Sequence, residues 1–206
     1  MAVFVDLDYV LRSPVRQRRA GIGDVVSNLS AVADWELAAR ERGEPVDGLA
    51  MMVARTAGEA VLGATGTVES THFLTTLAES LVLSGLAMAM AGNSRPCSGA
   101  CHEISHAIDA LFQHGTSHGE QVGLGARFAF FLREDDEAVE AIDACLRRHD
   151  LPRLPADIGL TEEESTQAVV AAPATRPDRF TILEHLDLDW DDARKVVHRY
   201  VDAIDR

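Results

Sequence analysis

Cysteine is scarce in this sequence, and no block of basic residues interrupts its acidic composition. The three cysteines, Cys97, Cys101 and Cys145, are an odd number and do not form the framework of a disulfide-rich domain. The chain has 19 Lys and Arg residues against 33 Asp and Glu residues, which gives a net charge of -14. Because nucleic acids are bound largely by neutralising their phosphates, this balance argues against a nucleic-acid partner.

The sequence also lacks recognisable segments for export or membrane insertion. Its start, MAVFVDLDYV, has neither the basic region nor the long apolar run of a signal peptide. The longest apolar run, LVLSGLAMAMAG from Leu81, is too short and too interrupted to span a bilayer. We therefore expect a cytoplasmic protein with reduced thiols and no membrane span.

The pattern of apolar residues predicts an all-α fold. Hydrophobic residues make up 47% of the sequence, which is sufficient for a real core. Only residues 2–10, with alternating apolar positions, predict a strand, and a lone strand needs a sheet outside this chain to pair with. We expect a compact, bundle-like helical domain of about eight helices over residues 13–206, preceded by a short junction strand in residues 1–12.

Capping residues, glycines and prolines mark the expected ends of the helices. Ser13 predicts the start of a short helix that ends at Gly21, and a long helix follows from about Asp24 to Arg42. Thr161 opens a capping box, which predicts a helix that ends before Pro173. The other predicted helices cover Asp47 to Leu62, Ser70 to Ala91, Ser98 to about Gln113, His118 to Leu132, Asp135 to Arg148 and Asp191 to Ile204.

Four of the eight histidines cluster in one short stretch, at His102, His106, His114 and His118. His102 and His106 are four residues apart, so they share one face of a helix, and a turn near Gly115 can bring His118 back beside them. Neutral imidazoles bind Zn²⁺, Ni²⁺ and Fe²⁺, and a carboxylate from a distant segment would complete such a site. The alternative is that these histidines are ordinary polar or capping residues.

The sequence HEISH at residues 102–106 also matches H-E-x-x-H, the pattern of zinc peptidases. In that chemistry both histidines bind zinc and the glutamate, here Glu103, acts on the attacking water. Two features count against a peptidase. Ser105 places a hydroxyl where such helices usually bury an apolar residue, and the motif leaves Asp24 and His118 unexplained.

A second candidate segment is GIGD at residues 21–24, whose glycines permit a tight approach into the long helix. Asp24 is placed at the first turn of that helix, where it is either a metal ligand or a plain helix cap. A dinucleotide-binding turn is excluded, because Ser27 stands where the fingerprint has its last glycine and the preceding segment is helical.

Taken together, these segments resemble the C-terminal helical domain of the iron-containing alcohol dehydrogenase and dehydroquinate synthase superfamily. Within it, the sequence is most similar to sn-glycerol-1-phosphate dehydrogenases. The matching segments occur in the family's order over most of the chain, which makes the resemblance more specific than any single motif. They are residues 20–28 with 33–37, 94–96 with 98–99, 102–109, 118–122 and 176–183.

The resemblance implies roles for four residues. Asp24, His102 and His118 would bind the catalytic metal, with zinc as the expected ion and nickel or iron as alternatives. His106 would lie beside the substrate as a proton relay. In such an enzyme the metal polarises the ketone of dihydroxyacetone phosphate, or of a related small phosphorylated ketone or polyol, and NAD(P)H supplies the hydride.

The family also carries an N-terminal nucleotide-binding domain, and no strand, glycine-rich turn and helix unit occurs in these 206 residues. NAD(P) would therefore be used only if a nucleotide-binding domain is supplied from elsewhere. The chain is expected to be a fragment, one subunit of a split enzyme, or a stand-alone domain with non-redox lyase or cyclase chemistry. A separate nucleotide-binding subunit or a second copy is the expected partner. Arg95, Arg176 and Arg179 are candidates either for phosphate contacts or for surface ion pairs and helix capping.

Overall fold

The computed structural model describes residues 3–112 and 115–204, and this part of the chain is all-helical, as predicted. A short 3₁₀ helix covers Pro155–Ile158. The α-helices of the described residues are α1 (Leu7–Arg12), α2 (Val15–Arg42), α3 (Gly48–Gly63), α4 (Thr71–Ala91), α5 (Ala100–Leu111), α6 (His118–Leu132), α7 (Asp136–Arg148), α8 (Glu162–Thr175), α9 (Ile182–Leu186) and α10 (Trp190–Ile204).

The junction strand expected within residues 1–12 is wrong for the part that the structure describes. Residues 3–6 form no strand, and α1 follows them because Asp6 caps its first turn. The Asp6 Oδ1 atom accepts hydrogen bonds from the backbone N–H groups of Asp8, at 3.0 Å, and Tyr9, at 3.4 Å. Val3 and Phe4 are exposed rather than paired in a sheet. The division into a junction and one helical domain stays a prediction.

The helix break expected at Gly21 is also wrong, because α2 runs through it without interruption. Asp24 therefore lies in the interior of a long helix and not at its first turn. The glycines serve a close crossing between α2 and α6. A Cβ atom on Gly23 would overlap the carbonyl oxygen of Gly119, and a Cβ atom on Gly119 would overlap that of Ala20.

The other predicted helices begin and end within two residues of the positions that the sequence indicated, except α8. The expected end of the Ser98 helix at Gln113 lies outside the described residues. The Thr161 capping box is present, but α8 continues past Pro173 to Thr175. Pro173 removes the N–H that would bond the carbonyl of Val169, and its ring crowds that carbonyl, but only two residues of the helix follow it.

The two largest hydrophobic clusters of the described residues hold most of the helices together. One joins α5, α8 and α10 around residues such as Ile104 and Tyr200, and the other joins α2, α3, α4 and α7 around residues such as Phe73 and Leu146. Helix α6 contributes side chains to both clusters and therefore lies between them.

Helix α4 is long and strongly apolar, with a mean hydropathy of 1.6 over its most apolar window. By length and composition alone the whole helix is able to cross a membrane, whereas the run that begins at Leu81 is only its second half. One face, which includes Phe73 and Leu77, packs in the core with α2 and α3. Val82 and Leu86 lie on the opposite face and are exposed, so the helix presents apolar side chains on the surface.

A buried carboxylate, Asp34 of α2, fixes the start of α5. It accepts hydrogen bonds from the backbone N–H groups of Ala100 and Ile182, each at 2.8 Å, and it pairs with Arg133. Asp34 therefore caps α5 and α9 and ties both to α2 and to the end of α6. Because α5 carries two of the histidines singled out above, this contact helps to position the candidate site.

Candidate metal centre

Three potential metal ligands from three different helices come together in the structure. They are Asp24 of α2, His102 of α5 and His118, the first residue of α6, and their ligand atoms all lie within 4.8 Å of one another. The Nε2 atom of His102 is 3.9 Å from Asp24 Oδ1, and the Nε2 atom of His118 is 3.8 Å from the same oxygen. Two imidazole nitrogens thus face one carboxylate oxygen.

The two helix contacts described above create this grouping. The crossing of Gly23 and Gly119 brings Asp24 beside His118, because each ligand is the chain neighbour of one of the two glycines. His102 lies on the first turn of α5, whose first backbone N–H donates to Asp34. Its side chain is only 12% exposed, whereas Asp24 at 43% and His118 at 44% are open to solvent on one side.

The electrostatics of the group suit metal binding. Burial, together with the positive charges of nearby histidines and of Arg176 and Arg179, lowers the pKa of His102 to about 3. The imidazole is therefore neutral at physiological pH, which is the form that binds metals. Burial also raises the pKa of Asp24, and the neighbouring His118 partly opposes that effect.

The donor set fits a divalent transition metal. One carboxylate and two imidazoles match the ligands that zinc, iron and nickel accept, and a three-ligand site leaves positions for water or substrate oxygens. These ligand types do not distinguish zinc, iron and nickel, because all three metals accept them.

His106 lies beside this group rather than within it. Its ring centroid is 6.4 Å from that of His102 and 6.4 Å from that of His118, whereas the rings of His102 and His118 are 5.0 Å apart. Burial, with a further contribution from Arg176, lowers the pKa of His106.

The geometry also counts against the peptidase interpretation of HEISH. That interpretation requires His106 as a ligand and Glu103 near the attacking water. Glu103 is instead 1% exposed, and its Oε2 atom lies 3.0 Å from the hydroxyl of Thr181, at the start of α9. Within the described residues, the distances group His118 and not His106 with His102.

Sequence reasoning missed the polar residues that contact the candidate ligands. Ser105 and Gln121 form hydrogen bonds behind His118, and the thiol of Cys101 lies 3.3 Å from His102 Nδ1. A helical spacing is the available signal, since Ser105 follows His102 by three residues and Gln121 follows His118 by three. Burial raises the pKa of Cys101 to about 12, so its thiol stays protonated.

The three candidate arginines differ in their contacts. Arg95 is 4% exposed and is engaged by Glu44. Arg179 donates to the carbonyl of Ser98 and the hydroxyl of Ser94, both at 2.8 Å. Arg176 forms no ion pair within the part of the chain that the structure describes, and its charge acts on His102 and His106. His114 lies outside the described residues.

Comparison with known proteins identifies relatives of this chain. No family model matches the sequence. The protein named glycerol-1-phosphate dehydrogenase (NAD(P)+) from Methanoregula boonei is 34% identical over 202 residues, which are 96% of this chain and 55% of that protein. The protein of the same name from Methanoculleus marisnigri is 37% identical over 201 residues, or 96% of this chain and 54% of that protein. The chain thus spans about half the length of the curated relatives it matches.

A solved structure shows the same fold. The crystal structure of a probable glycerol dehydrogenase from Sinorhizobium meliloti 1021 covers 92% of this chain with a TM-score of 0.71, and the match spans 56% of that protein at 24% identity. The sequence resemblance is therefore confirmed. The chain is similar to the helical domain of glycerol-1-phosphate dehydrogenase-like proteins, and a match to about half of each relative fits a C-terminal domain.

Proposed function

Because the chain matches one half of glycerol-1-phosphate dehydrogenases, we propose that it is the metal-binding catalytic half of a metal-dependent, NAD(P)-linked polyol-phosphate dehydrogenase. The proposed reaction is the reduction of dihydroxyacetone phosphate or a related small phosphorylated ketone. The observation that carries this proposal is the convergence of Asp24, His102 and His118 from three helices in a chain with these relatives.

The chemistry divides between the bound groups and the chain. A divalent metal, zinc by preference and otherwise nickel or iron, would supply a Lewis acid for the carbonyl group, and a nicotinamide nucleotide would supply the hydride. His102 keeps a neutral imidazole for binding because of its burial. His106, at the edge of the group, would exchange a proton with the substrate oxygen.

The charge next to the site supports a phosphorylated substrate. Arg176 and Arg179 place positive charge beside the histidines of a chain whose net charge is -14. Arg179 is already engaged by Ser94 and Ser98, whereas the guanidinium of Arg176 forms no ion pair among the described residues. We assign Arg176 to the substrate phosphate, which a guanidinium binds through paired hydrogen bonds.

The nucleotide is proposed to bind to a separate subunit or domain. The relatives are almost twice as long as the match, and the described residues of this chain contain helices but no strand. A nucleotide-binding unit built on a parallel sheet is therefore the first proposed partner, and a second copy of the chain is the alternative. The proposed location is the cytoplasm, where such a dehydrogenase meets reduced nicotinamide nucleotides.

A second function from another class uses the same site without hydride transfer. A stand-alone lyase or cyclase would polarise a carbonyl in the same way, and the helical composition of the described residues favours it because no nucleotide site is then required. Turnover of a phosphorylated ketone by this chain in the absence of nicotinamide would favour the second function. Turnover that depends on NADH and an added nucleotide-binding subunit would favour the first.

The metal content of the purified chain tests the proposal. The parent is expected to hold about one equivalent of metal, which Asp24→Ala, His102→Ala and His118→Ala should each lose. His106→Ala should retain it, as should His72→Ala, a control at an exposed histidine of α4. A parent chain that binds no metal, or a His106→Ala variant that loses it while His118→Ala does not, would contradict the proposal.

A further inference from the structure

Two buried polar side chains lie behind His118. The Ser105 hydroxyl oxygen is 3.1 Å from His118 Nδ1, and the same hydroxyl donates to Gln121 Oε1 at 2.6 Å. Ser105 is 0% exposed and Gln121 is 2% exposed, so water does not compete for these hydrogen bonds. On the opposite side of the ring, Nε2 faces Asp24.

The carboxylate of Asp109 sets the direction of the hydrogen bonds that link Gln121, Ser105 and His118. The Nε2 amide of Gln121 donates to Asp109 Oδ1 at 3.0 Å and to the Thr116 hydroxyl at 3.2 Å. An ionised carboxylate only accepts, so the amide nitrogen is turned toward Asp109 and the amide oxygen toward Ser105. The single proton of the Ser105 hydroxyl is therefore used in the bond to Gln121.

The Ser105 oxygen is left to accept a hydrogen bond from the histidine. Because its proton points at Gln121, the atom of His118 that faces it must carry a hydrogen, and that atom is Nδ1. In a neutral imidazole only one nitrogen carries a proton. The other nitrogen, Nε2, then has a free lone pair directed at Asp24.

We propose that Ser105 and Gln121 are positioning residues that hold His118 in its Nδ1-protonated form and thereby present its Nε2 lone pair to the metal ion. The inference rests on the proposed function of the site and names the residues that prepare it. Hydrogen bonds of this kind to a ligand histidine commonly change metal affinity by about 10- to 100-fold.

The first test reads the tautomer directly, without metal or catalysis. Nitrogen-15 correlation spectra of the metal-free parent, recorded at a pH where the imidazole is neutral, should show the proton of His118 on Nδ1. In Gln121→Met the Ser105 hydroxyl loses its acceptor and becomes free to donate to Nδ1, so the population should move toward the Nε2-protonated form. A parent with its proton on Nε2 would overturn the proposal, whether or not any variant folds.

The second test measures zinc affinity by competition with a chelating dye. Ser105→Ala and Gln121→Met should each weaken binding by at least about tenfold, because the ring is no longer fixed in the binding form. The control is Ser165→Ala. Ser165 lies in α8 and is also buried, and its hydroxyl donates only to the backbone carbonyl of Thr161. The proposal would be contradicted if both site variants bound zinc with the same affinity as the parent.

The two tests separate this inference from the function on which it rests. A parent that binds no zinc contradicts the proposed function, and the tautomer of the metal-free chain still decides the direction of the hydrogen bonds. If the parent binds zinc but carries the His118 proton on Nε2, the proposed function is not contradicted. Ser105 and Gln121 then do not act as positioning residues.

Discussion

Gly23 of α2 and Gly119 of α6 cross at backbone contact, so that a methyl group on Gly23 would overlap the Gly119 carbonyl oxygen. Their neighbours in the sequence, Asp24 and His118, are two members of the candidate metal centre. The close contact between α2 and α6 therefore produces both the helix crossing and the grouping of the candidate site. Two residues without side chains allow two candidate ligands from distant parts of the chain to lie side by side.

The substitution Gly119→Ala should damage both the fold and the site. The added methyl group meets backbone atoms that have no rotamer to change, so the free energy of unfolding should fall by about 1–3 kcal/mol or more, and zinc binding should weaken with it. Urea unfolding and zinc titration measure the two effects. Gly85→Ala is the control, because its Cβ atom would have nothing within 4 Å and should be neutral or slightly stabilising. Equal stability of Gly119→Ala and the parent would refute the close crossing.

Removing the Asp34 carboxylate should be strongly destabilising. Asp34→Ala leaves the buried N–H groups of Ala100 and Ile182 and the charge of Arg133 without their acceptor. The expected loss is about 3–5 kcal/mol in the free energy of unfolding, measured with urea. Asp192→Ala, at an exposed residue of α10, should change the same quantity by less than about 0.5 kcal/mol. A small effect of Asp34→Ala would show that its contacts are replaced by water.

The free energy of unfolding should fall on acidification because of His149, a buried histidine directly after the last residue of α7. Burial, with Arg148 and Arg19 nearby, lowers the pKa of His149 to about 4 from 6.5. Between these values the unfolded chain binds a proton that the folded chain does not, so lowering the pH favours unfolding by up to about 1.4 kcal/mol per pH unit. His149→Phe preserves an aromatic ring against Phe73 and should give a shallower dependence in urea unfolding at several pH values. An unchanged slope would exclude His149 as the cause.

Zinc should stabilise the folded chain. A ligand that binds only the folded state adds about 2.7 kcal/mol when its free concentration is a hundred times its dissociation constant. The thermal midpoint of the parent should therefore rise with zinc and fall again with a chelator. His118→Ala should show no such rise, whereas His106→Ala should still respond. A rise of equal size in His118→Ala would place zinc elsewhere on the chain.

Phosphate binding should depend on Arg176. In the zinc-loaded chain, Arg176→Gln should weaken binding of inorganic phosphate by at least about tenfold, since a charged, two-point contact is lost. Isothermal titration gives the affinity directly. Arg199→Gln removes an equal charge at an exposed position of α10 and should leave the affinity unchanged. Equal losses in both variants would mean that only the overall charge matters.

Local signals were sufficient to predict most helices. Helix α6 begins at His118 and ends at Leu132, as the sequence indicated. Neighbouring residues stabilise its start, because the Glu120 carboxylate accepts hydrogen bonds from the backbone N–H and the hydroxyl of Ser117. The grouping of Asp24 with His102 and His118 followed from the family resemblance and is present in the structure. Their role as ligands, and that of His106 in catalysis, stays a prediction.

The errors came from contacts between distant residues. Gly21 and Gly23 indicated a turn when considered alone, since the residue that explains Gly23, Gly119, lies on another helix. The same limit hid the hydrogen bonds of Ser105 and Gln121 behind His118, because the two residues meet only when α5 and α6 pack together. The strand expected at the start failed because the cap of Asp6 outweighs a short alternation of valines.

The Asp34 contact has a consequence for the order of events during protein synthesis. Its hydrogen bond to Ile182 spans 148 residues, and its bond to Ala100 spans 66. A chain emerging from the ribosome therefore presents Asp24, His102 and His118 well before Ile182 can reach Asp34. The contact of Asp34 with α5 can therefore form before the anchoring of α9, which waits until the last residues of that contact are translated.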